Sequence, residues 1–378
     1  MSKEKKKTKF NPALIIPLVF GGILGFVIGI FGITYLESKF PADAPFWYGI
    51  VAYILFFVAL YIQIIIHEGG HLIFGLLSGY KFSSFRIASF TIARINGKLC
   101  VKRFSLAGTG GQCLMVAPEP KDGKVPVMLY NFGGAILNLI TGLIALVLCI
   151  IVDNFWVASI SISFAICGIL FALLNGIPLK TKELNNDGHN ALSLSKDKTA
   201  LNAFCTQLKA NAMQMDGIRL KDMPEEMFEK PSDEELKNPI VSTIGVFRCN
   251  RLLDMHCFEE AEREIEHLFS IKSGIAGLHK NLLTADLIYL KLILERDFEQ
   301  VNELFTDELE SFMKSMPKFP SIIRTRYVYA LLGEQNRENA EKFKAKFEAI
   351  KNYPYESDLE SERELMAIAD QKASKICF

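Results

Sequence analysis

Apolar and polar positions are unevenly divided along this chain, the apolar ones falling in long blocks within the first half. Four runs carry no Asp, Glu, Lys or Arg: Phe10 to Leu36, Ala44 to Ile66, Val125 to Val152 and Asn154 to Leu179. Each exceeds the ~20 residues that a helix needs to cross a hydrocarbon core. The pattern predicts four transmembrane helices, over residues 11–36, 45–78, 126–152 and 155–178. Between the second and third blocks the period changes to two. Ser89 to Ile95 and Lys98 to Phe104 alternate on either side of Asn96-Gly97, the strongest short hairpin signal, and predict a β-hairpin within 82–118. Its continuation, Leu106 to Pro118, is uncharged and is expected to dip into the membrane face. An edge strand there would either hold an unfolded substrate by main-chain pairing or serve as a structural cap.

From about Lys180 the chain is charged and reads as soluble. A helix is predicted over Leu192 to Met215, then a proline-punctuated acidic linker from Leu220 to Pro239. A repeat of about 40 residues follows. Phe258, Phe298 and Arg337 each start a helix, preceded by apolar-periodic helices at Val241–Leu253, Leu282–Leu294 and Ile322–Leu332. Paired helices at this period resemble tetratricopeptide-like arrays, which bind peptides on a concave face. A generic helical bundle is the other reading. The expected fold is therefore a polytopic α-helical membrane protein with an all-α, tetratricopeptide-like soluble C-terminal domain. Its divisions are a membrane domain over 1–192, a helix and linker over 193–239, and a helical-repeat domain over 240–378.

Half of the residues are hydrophobic and the formal charge balances at zero. No basic patch with interleaved aromatics marks a nucleic-acid partner. The distribution of charge is more telling than its sum. Lys3, Lys5, Lys6, Lys7 and Lys9 precede the first block, and Lys81, Arg86, Arg94, Lys98, Lys102, Arg103, Lys121 and Lys124 fill the loop after the second. The loops on the other side carry Glu37, Lys39 and Asp43, or Asp153 alone. Cytoplasmic flanks collect Lys and Arg, so both termini are expected in the cytoplasm of a multi-pass cell-membrane protein. The first block is too long for a cleaved signal peptide and lacks a small-residue cleavage site. The eight cysteines show no paired spacing and are expected as reduced thiols. Gly21, Gly25 and Gly29 in the first block would let another helix approach closely, as intramolecular packing or as a dimer contact.

Chemistry enters at the end of the second block, where Ile66 is followed by His67-Glu68-Gly69-Gly70-His71. Four residues apart on a helix, His67 and His71 offer two imidazoles to one Zn²⁺, with Glu68 beside them as general base. Such a site leaves one position open for a water, whose pKa falls from about 15.7 toward roughly 7. Ionisable groups at the end of a bilayer-spanning run cost several kcal/mol unless partnered, which favours a metal site over chance spacing. At ~1.5 Å per residue, His67 lies roughly 30 Å beyond Trp47, near the cytoplasmic edge of the membrane. Asn138 and Asn175 sit inside apolar helices, where an amide must be bonded. Asp187, just past the fourth block, can reach back as the third ligand, with Glu183 and His189 as alternatives.

These motifs together resemble the site-2 protease family of intramembrane zinc metalloproteases. H-E-G-G-H at 67–71, Gly134-Ala135-Ile136-Leu137-Asn138 and Asn175-x-x-Pro178 with the later Asp187-Gly188 come in that family's order, and the hairpin between the first two motif helices matches. The likeness covers roughly residues 47–192. It implies His67, His71 and Asp187 as zinc ligands, Glu68 as catalytic base, and Asn138 and Asn175 as residues lining the site. Two departures are visible. Asp187 follows Pro178 by nine residues where the family's spacing is about five, with Glu183 at that offset, and Ala135 replaces a proline. No PDZ-like insertion is visible between the spans. The implied activity is cleavage of a membrane-embedded substrate: a regulatory precursor, a pheromone precursor or a signal-peptide remnant. A protein partner would dock on the helical domain. The opposing readings are a membrane-anchored interaction scaffold with a structural or relict metal site, and a membrane zinc protease of another architecture with a glutamate ligand. His256, His267 and His279 are expected as surface or packing residues.

Overall fold

The computed structural model describes residues 29–106, 109–121, 123–179, 185–296 and 298–375. The chain divides into two compact units, Met1–Phe74 with Met128–Leu192 and Gly75–Val127 with Ser193–Phe378.

In the first unit residues 29–39 are helical (α1). Most of the first predicted span, with Gly21, Gly25 and the N-terminal lysines, lies outside the described residues. Among the described residues, three helices are long and apolar enough to cross a membrane: α2 (Trp47–Leu77), α3 (Val127–Ile151) and α4 (Phe155–Gly176), with mean hydropathies of 2.5, 2.6 and 2.5. Their patterning is inverted relative to a soluble bundle. The outward faces carry Ile50, Tyr53, Ile54, Phe57, Leu143, Ile144 and Val147, all exposed, while small and polar residues are buried between the helices. On α2 the buried stripe is Ala59, Gln63, His67 and His71, four residues apart. On α3 it includes Asn131, Gly134, Asn138 and Gly142. Small residues permit close backbone approach, the main source of helix association where surrounding lipid is as apolar as leucine. A Cβ on Gly70 would lie 2.2 Å from the Gly133 carbonyl oxygen, so α2 and α3 cross in backbone contact. The turn between α3 and α4 is tied to α1 by an ion pair from Lys39 Nζ to Asp153 Oδ1 (2.7 Å), and Tyr35 donates to the Cys149 carbonyl.

The second unit opens with a four-stranded antiparallel sheet, β1 (Lys81–Ile87), β2 (Phe90–Ile95), β3 (Lys98–Arg103) and β4 (Gly111–Val116), in the order β3-β2-β1-β4. Asn96 and Gly97 have φ of 49° and 77°, the two left-handed residues of a tight hairpin, and Ile95 pairs with Lys98 across them. The expected hairpin is thus the outer half of a larger sheet. The segment 106–118, expected to dip into the membrane face, contains β4, which pairs with β1 from Ile87↔Gly111 to Lys81↔Val116. Thr91 and Ala93 of β2 are buried, and the sheet is tied to α6 (Lys198–Met215) and its cap through Ser83 to Met215 and Asn96 N–H to Asp216. This packing groups the sheet with the C-terminal half.

The stretch 220–239, read from its prolines and acids as a linker, is packed. It forms three short 3-10 turns that bury Leu220, Met223, Phe228 and Leu236. Beyond it come α7 (Ser242–Asp254), α8 (Phe258–Ser270), α9 (Gly277–Ile293), α10 (Phe298–Leu304), α11 (Asp307–Ser315), α12 (Pro320–Val328), α13 (Arg337–Glu348) and α14 (Glu356–Ala373). Helices begin at Phe258, Phe298 and Arg337 as the sequence pattern predicts. Each is preceded by a left-handed residue, His256 (φ 60°), Glu295 (φ 54°) or Gln335 (φ 54°), that ends the helix before it. The apolar core runs through α7, α8, α9, α12, α13 and α14, with Ile265, Leu283, Ile288, Ile322 and Leu365 almost wholly buried.

Candidate metal centre

Two imidazoles on one face of α2 acquire their chemistry from α3. Asn138 Nδ2 donates to the Gln63 carbonyl (2.9 Å) and to Gln63 Oε1 (2.6 Å), which turns Asn138 Oδ1 toward His67 Nδ1 at 2.7 Å. An amide oxygen only accepts, so His67 Nδ1 carries the proton. His71 Nδ1 lies 2.8 Å from the Tyr130 carbonyl oxygen and must donate for the same reason. Both rings are thereby fixed in the tautomer whose Nε2 presents a lone pair.

The two Nε2 atoms lie 3.2 Å apart. Asp187 Oδ2, from the first turn of α5 (Asp187–Lys196), is 3.0 Å from His67 Nε2 and 3.3 Å from His71 Nε2. That oxygen is buried and has no hydrogen-bond donor among the described residues. Three lone pairs thus converge with no proton committed among them, an arrangement that a cation relieves. Zinc bonds to imidazole and carboxylate of about 2.0–2.1 Å, set at a tetrahedral angle, need donors about 3.3 Å apart. The observed triangle of 3.0, 3.2 and 3.3 Å fits. Among the described residues, His67, His71 and Asp187 are the His/Cys/Asp/Glu group whose donor atoms cluster within 4.8 Å.

Backbone packing sets the positions of the donors. A Cβ on Gly134 would strike the His67 ring, 2.5 Å from Cε1. One on Gly188 would lie 2.3 Å from the Gly176 carbonyl oxygen, so the glycine after Asp187 lets α5 start against the end of α4. Asn186 fixes this junction. Its Oδ1 accepts from Leu179 N–H (2.9 Å) and from His189 N–H (3.0 Å), and its Nδ2 donates to the Leu174 and Ile177 carbonyls (2.7 and 2.5 Å). One side chain therefore caps the end of α4 and the start of α5.

Glu68 is buried in the same turn as His67. Asn175 is half-buried in the last turn of α4 and donates to the Phe171 carbonyl of its own helix (3.0 Å). His189 is the third residue of α5 and does not belong to the donor cluster. Glu183 lies outside the described residues. Sequence reasoning passed over Gln63, wholly buried, whose Nε2 also donates to the Phe164 carbonyl (3.2 Å). A signal was present: Gln63 is the one amide between Ala44 and Ile66, four residues before His67. Tyr130 acts through its backbone carbonyl, which no side-chain pattern marks.

Helices apolar and long enough to cross a membrane bring together two imidazoles and a carboxylate beside a buried glutamate, an H-E-x-x-H group that could hold a metal ion, the arrangement of membrane metallohydrolases. Residues 55–319, more than half of the chain, match peptidase family M50. The chain belongs to that family, the site-2 protease family, whose members are membrane-embedded, zinc-dependent metalloproteases. No curated protein and no solved structure matches it.

Proposed function

We propose that this chain is an intramembrane zinc endopeptidase that hydrolyses a peptide bond of a membrane-embedded substrate. The observation that carries the reading is the triangle of unprotonated donors on His67, His71 and Asp187, held at tetrahedral zinc spacing inside an apolar helix bundle. Zinc bound there would supply Lewis-acid polarisation of water and of the scissile carbonyl. Asn138 and the Tyr130 carbonyl keep the imidazole protons on Nδ1, and Gln63 holds Asn138 in the orientation that does so. Glu68 takes the proton of the attacking water at a carboxylate oxygen and delivers it to the leaving amide nitrogen, so that cleavage yields a free carboxylate and a free amine. Close packing of Gly70 on Gly133 and of Gly134 on His67 holds the base and the ligands rigid through these transfers.

The lysine and arginine asymmetry of the short loops supports a cytoplasmic placement of the sheet and the helical half. In that placement the helical half recruits or regulates the substrate, which the resemblance makes a regulatory precursor, a pheromone precursor or a signal-peptide remnant. Helix starts at Phe258, Phe298 and Arg337 support an array that grips peptide. The test compares membrane fractions of cells carrying the wild type or Glu68→Gln, together with the zinc content of both proteins. Accumulation of one or more membrane fragments in the variant, at equal zinc, is the expected result. Identical proteomes with a biological function retained in Glu68→Gln would instead favour an interaction scaffold built around a structural metal.

A further inference from the structure

The second unit carries a partly open cavity of about 290 Å³, close to the roughly 300–1,000 Å³ typical of small-ligand sites. One wall is α14, which turns Asp358, Ser361, Glu362 and Leu365 toward it at the three- and four-residue spacing of a single helix face. In a helix packed against a core such a face is normally apolar. Here it carries two carboxylates one turn apart, a like-charge pair that weakens a helix unless something offsets it.

The protein's own cations offset only part of this charge. Arg324, fully buried, donates to both Asp286 and Glu362. Arg219 pairs with Asp254 and Glu364, and Lys221 stands near Glu364. Asp358 accepts from the neutral amide of Gln214 (2.8 Å) and has no ion pair among the described residues. Asp286, Asp358 and Glu362 therefore share one guanidinium and leave a surplus of negative charge in the cavity wall. Arg86 donates to the Ala88 and Gly111 carbonyls and to Thr109 Oγ1, and its guanidinium lies over the Phe104 ring, 5.9 Å from the centroid.

A further feature of the wall points to an occupant. Phe104 packs against Phe319, Tyr353 and Tyr355 with ring centroids 6.2, 5.7 and 5.8 Å away, and all four line the cavity. Surplus carboxylates beside a cluster of aromatic rings suit an organic cation, which gains from charge and from π faces.

We propose that this cavity binds an ammonium or guanidinium group of the size borne by a lysine or arginine side chain, with Asp358 as its principal counter-ion. The group is either a side chain of a bound peptide or a free polyamine. The site is independent of the proteolytic reading, since all of its residues belong to the second unit.

The test uses the full chain in detergent, carrying Glu68→Gln so that no probe is consumed. Nα-acetyl-lysine amide, Nα-acetyl-arginine amide, spermidine and a lysine-containing tripeptide are titrated calorimetrically, with Nα-acetyl-glutamine amide as the uncharged control. The cationic probes bind and the glutamine analogue does not; Asp358→Asn weakens binding roughly tenfold or more. Ser361→Phe, which blocks the cavity without changing its charge, abolishes binding, and it provides the measurement should Asp358→Asn fail to fold. Tighter binding of the tripeptide assigns the cation to a peptide side chain, and tighter binding of spermidine to a free polyamine. Failure of every cationic probe to bind, or equal binding to the parent and to Ser361→Phe, overturns the proposal.

Discussion

The two central glycines of the metal motif should respond oppositely to alanine. A methyl group on Gly70 would lie 2.2 Å from the Gly133 oxygen, 2.6 Å from its carbonyl carbon and 2.7 Å from Gly134 Cα. Non-bonded contacts settle nearer about 3.5 Å, so α2 and α3 must part by roughly 1 Å at their crossing. The bonds from His67 to Asn138 (2.7 Å) and from His71 to Tyr130 (2.8 Å) bridge the same two helices and would stretch beyond hydrogen-bond range. Two lost hydrogen bonds at about 1 kcal/mol each, added to about 1–3 kcal/mol of overpacking, give a destabilisation of about 3–5 kcal/mol. Loss of the outer partners of both imidazoles should weaken zinc binding by about 10–100-fold. A Cβ on Gly69 meets nothing within 4 Å, so Gly69→Ala should keep both stability and zinc. The assay is chelator competition and thermal unfolding of the purified full chain. Wild-type zinc affinity in Gly70→Ala, or equal losses in both variants, would refute the backbone-contact account.

Gly188→Ala should expel Asp187 from the cluster, because its Cβ would meet the Gly176 oxygen at 2.3 Å; zinc content should fall as in Asp187→Ala, and loss in Glu183→Ala alone would assign the third ligand elsewhere. Gln63→Leu removes the partner that orients Asn138, so zinc affinity should drop about 10–100-fold, and an unchanged value would remove Gln63 from the site. Burial, and after it the Glu362 carboxylate, push Asp358 up to about 7, while the Gln214 hydrogen bond pulls it down. In the unfolded chain the group titrates near ~3.9. Between about pH 4 and 7 the folded chain holds a proton that the unfolded chain has released, so this group's contribution to stability falls as pH rises through that window. Asp358→Asn should accordingly lose less stability than wild type between about pH 5 and 8, and parallel profiles by thermal unfolding would contradict the assignment.

What the sequence disclosed and what it hid follow from the range of the interactions. His67 and His71 were legible because one helix brings them together, and the hairpin because Asn96-Gly97 encodes its own turn. β1 and β4 were not, since they pair across more than twenty residues with β2 and β3 between them, and a register shift between Phe82 and Ser84 breaks the alternation of β1. Residues 220–239 misled for a related reason: their buried Leu220, Met223, Phe228 and Leu236 follow no regular period, so exposed acids and prolines dominate the pattern. Asp187 was nameable only beside its motif. The reason Gly188 must follow it is a contact with Gly176, which lies in another helix.

The Asn186 cap accounts for the unusual spacing before Asp187. By holding residue 186 to Leu174, Ile177 and Leu179, it brings the ligand's helix back to the end of α4 whatever number of residues intervenes. Lengthening a closed loop costs little, about 0.6 kcal/mol per doubling. A change of length between Leu179 and Asn186 should therefore leave Asp187 in place. An inserted flexible tag there should leave zinc affinity intact, whereas Asn186→Ala, with no change in length, should not.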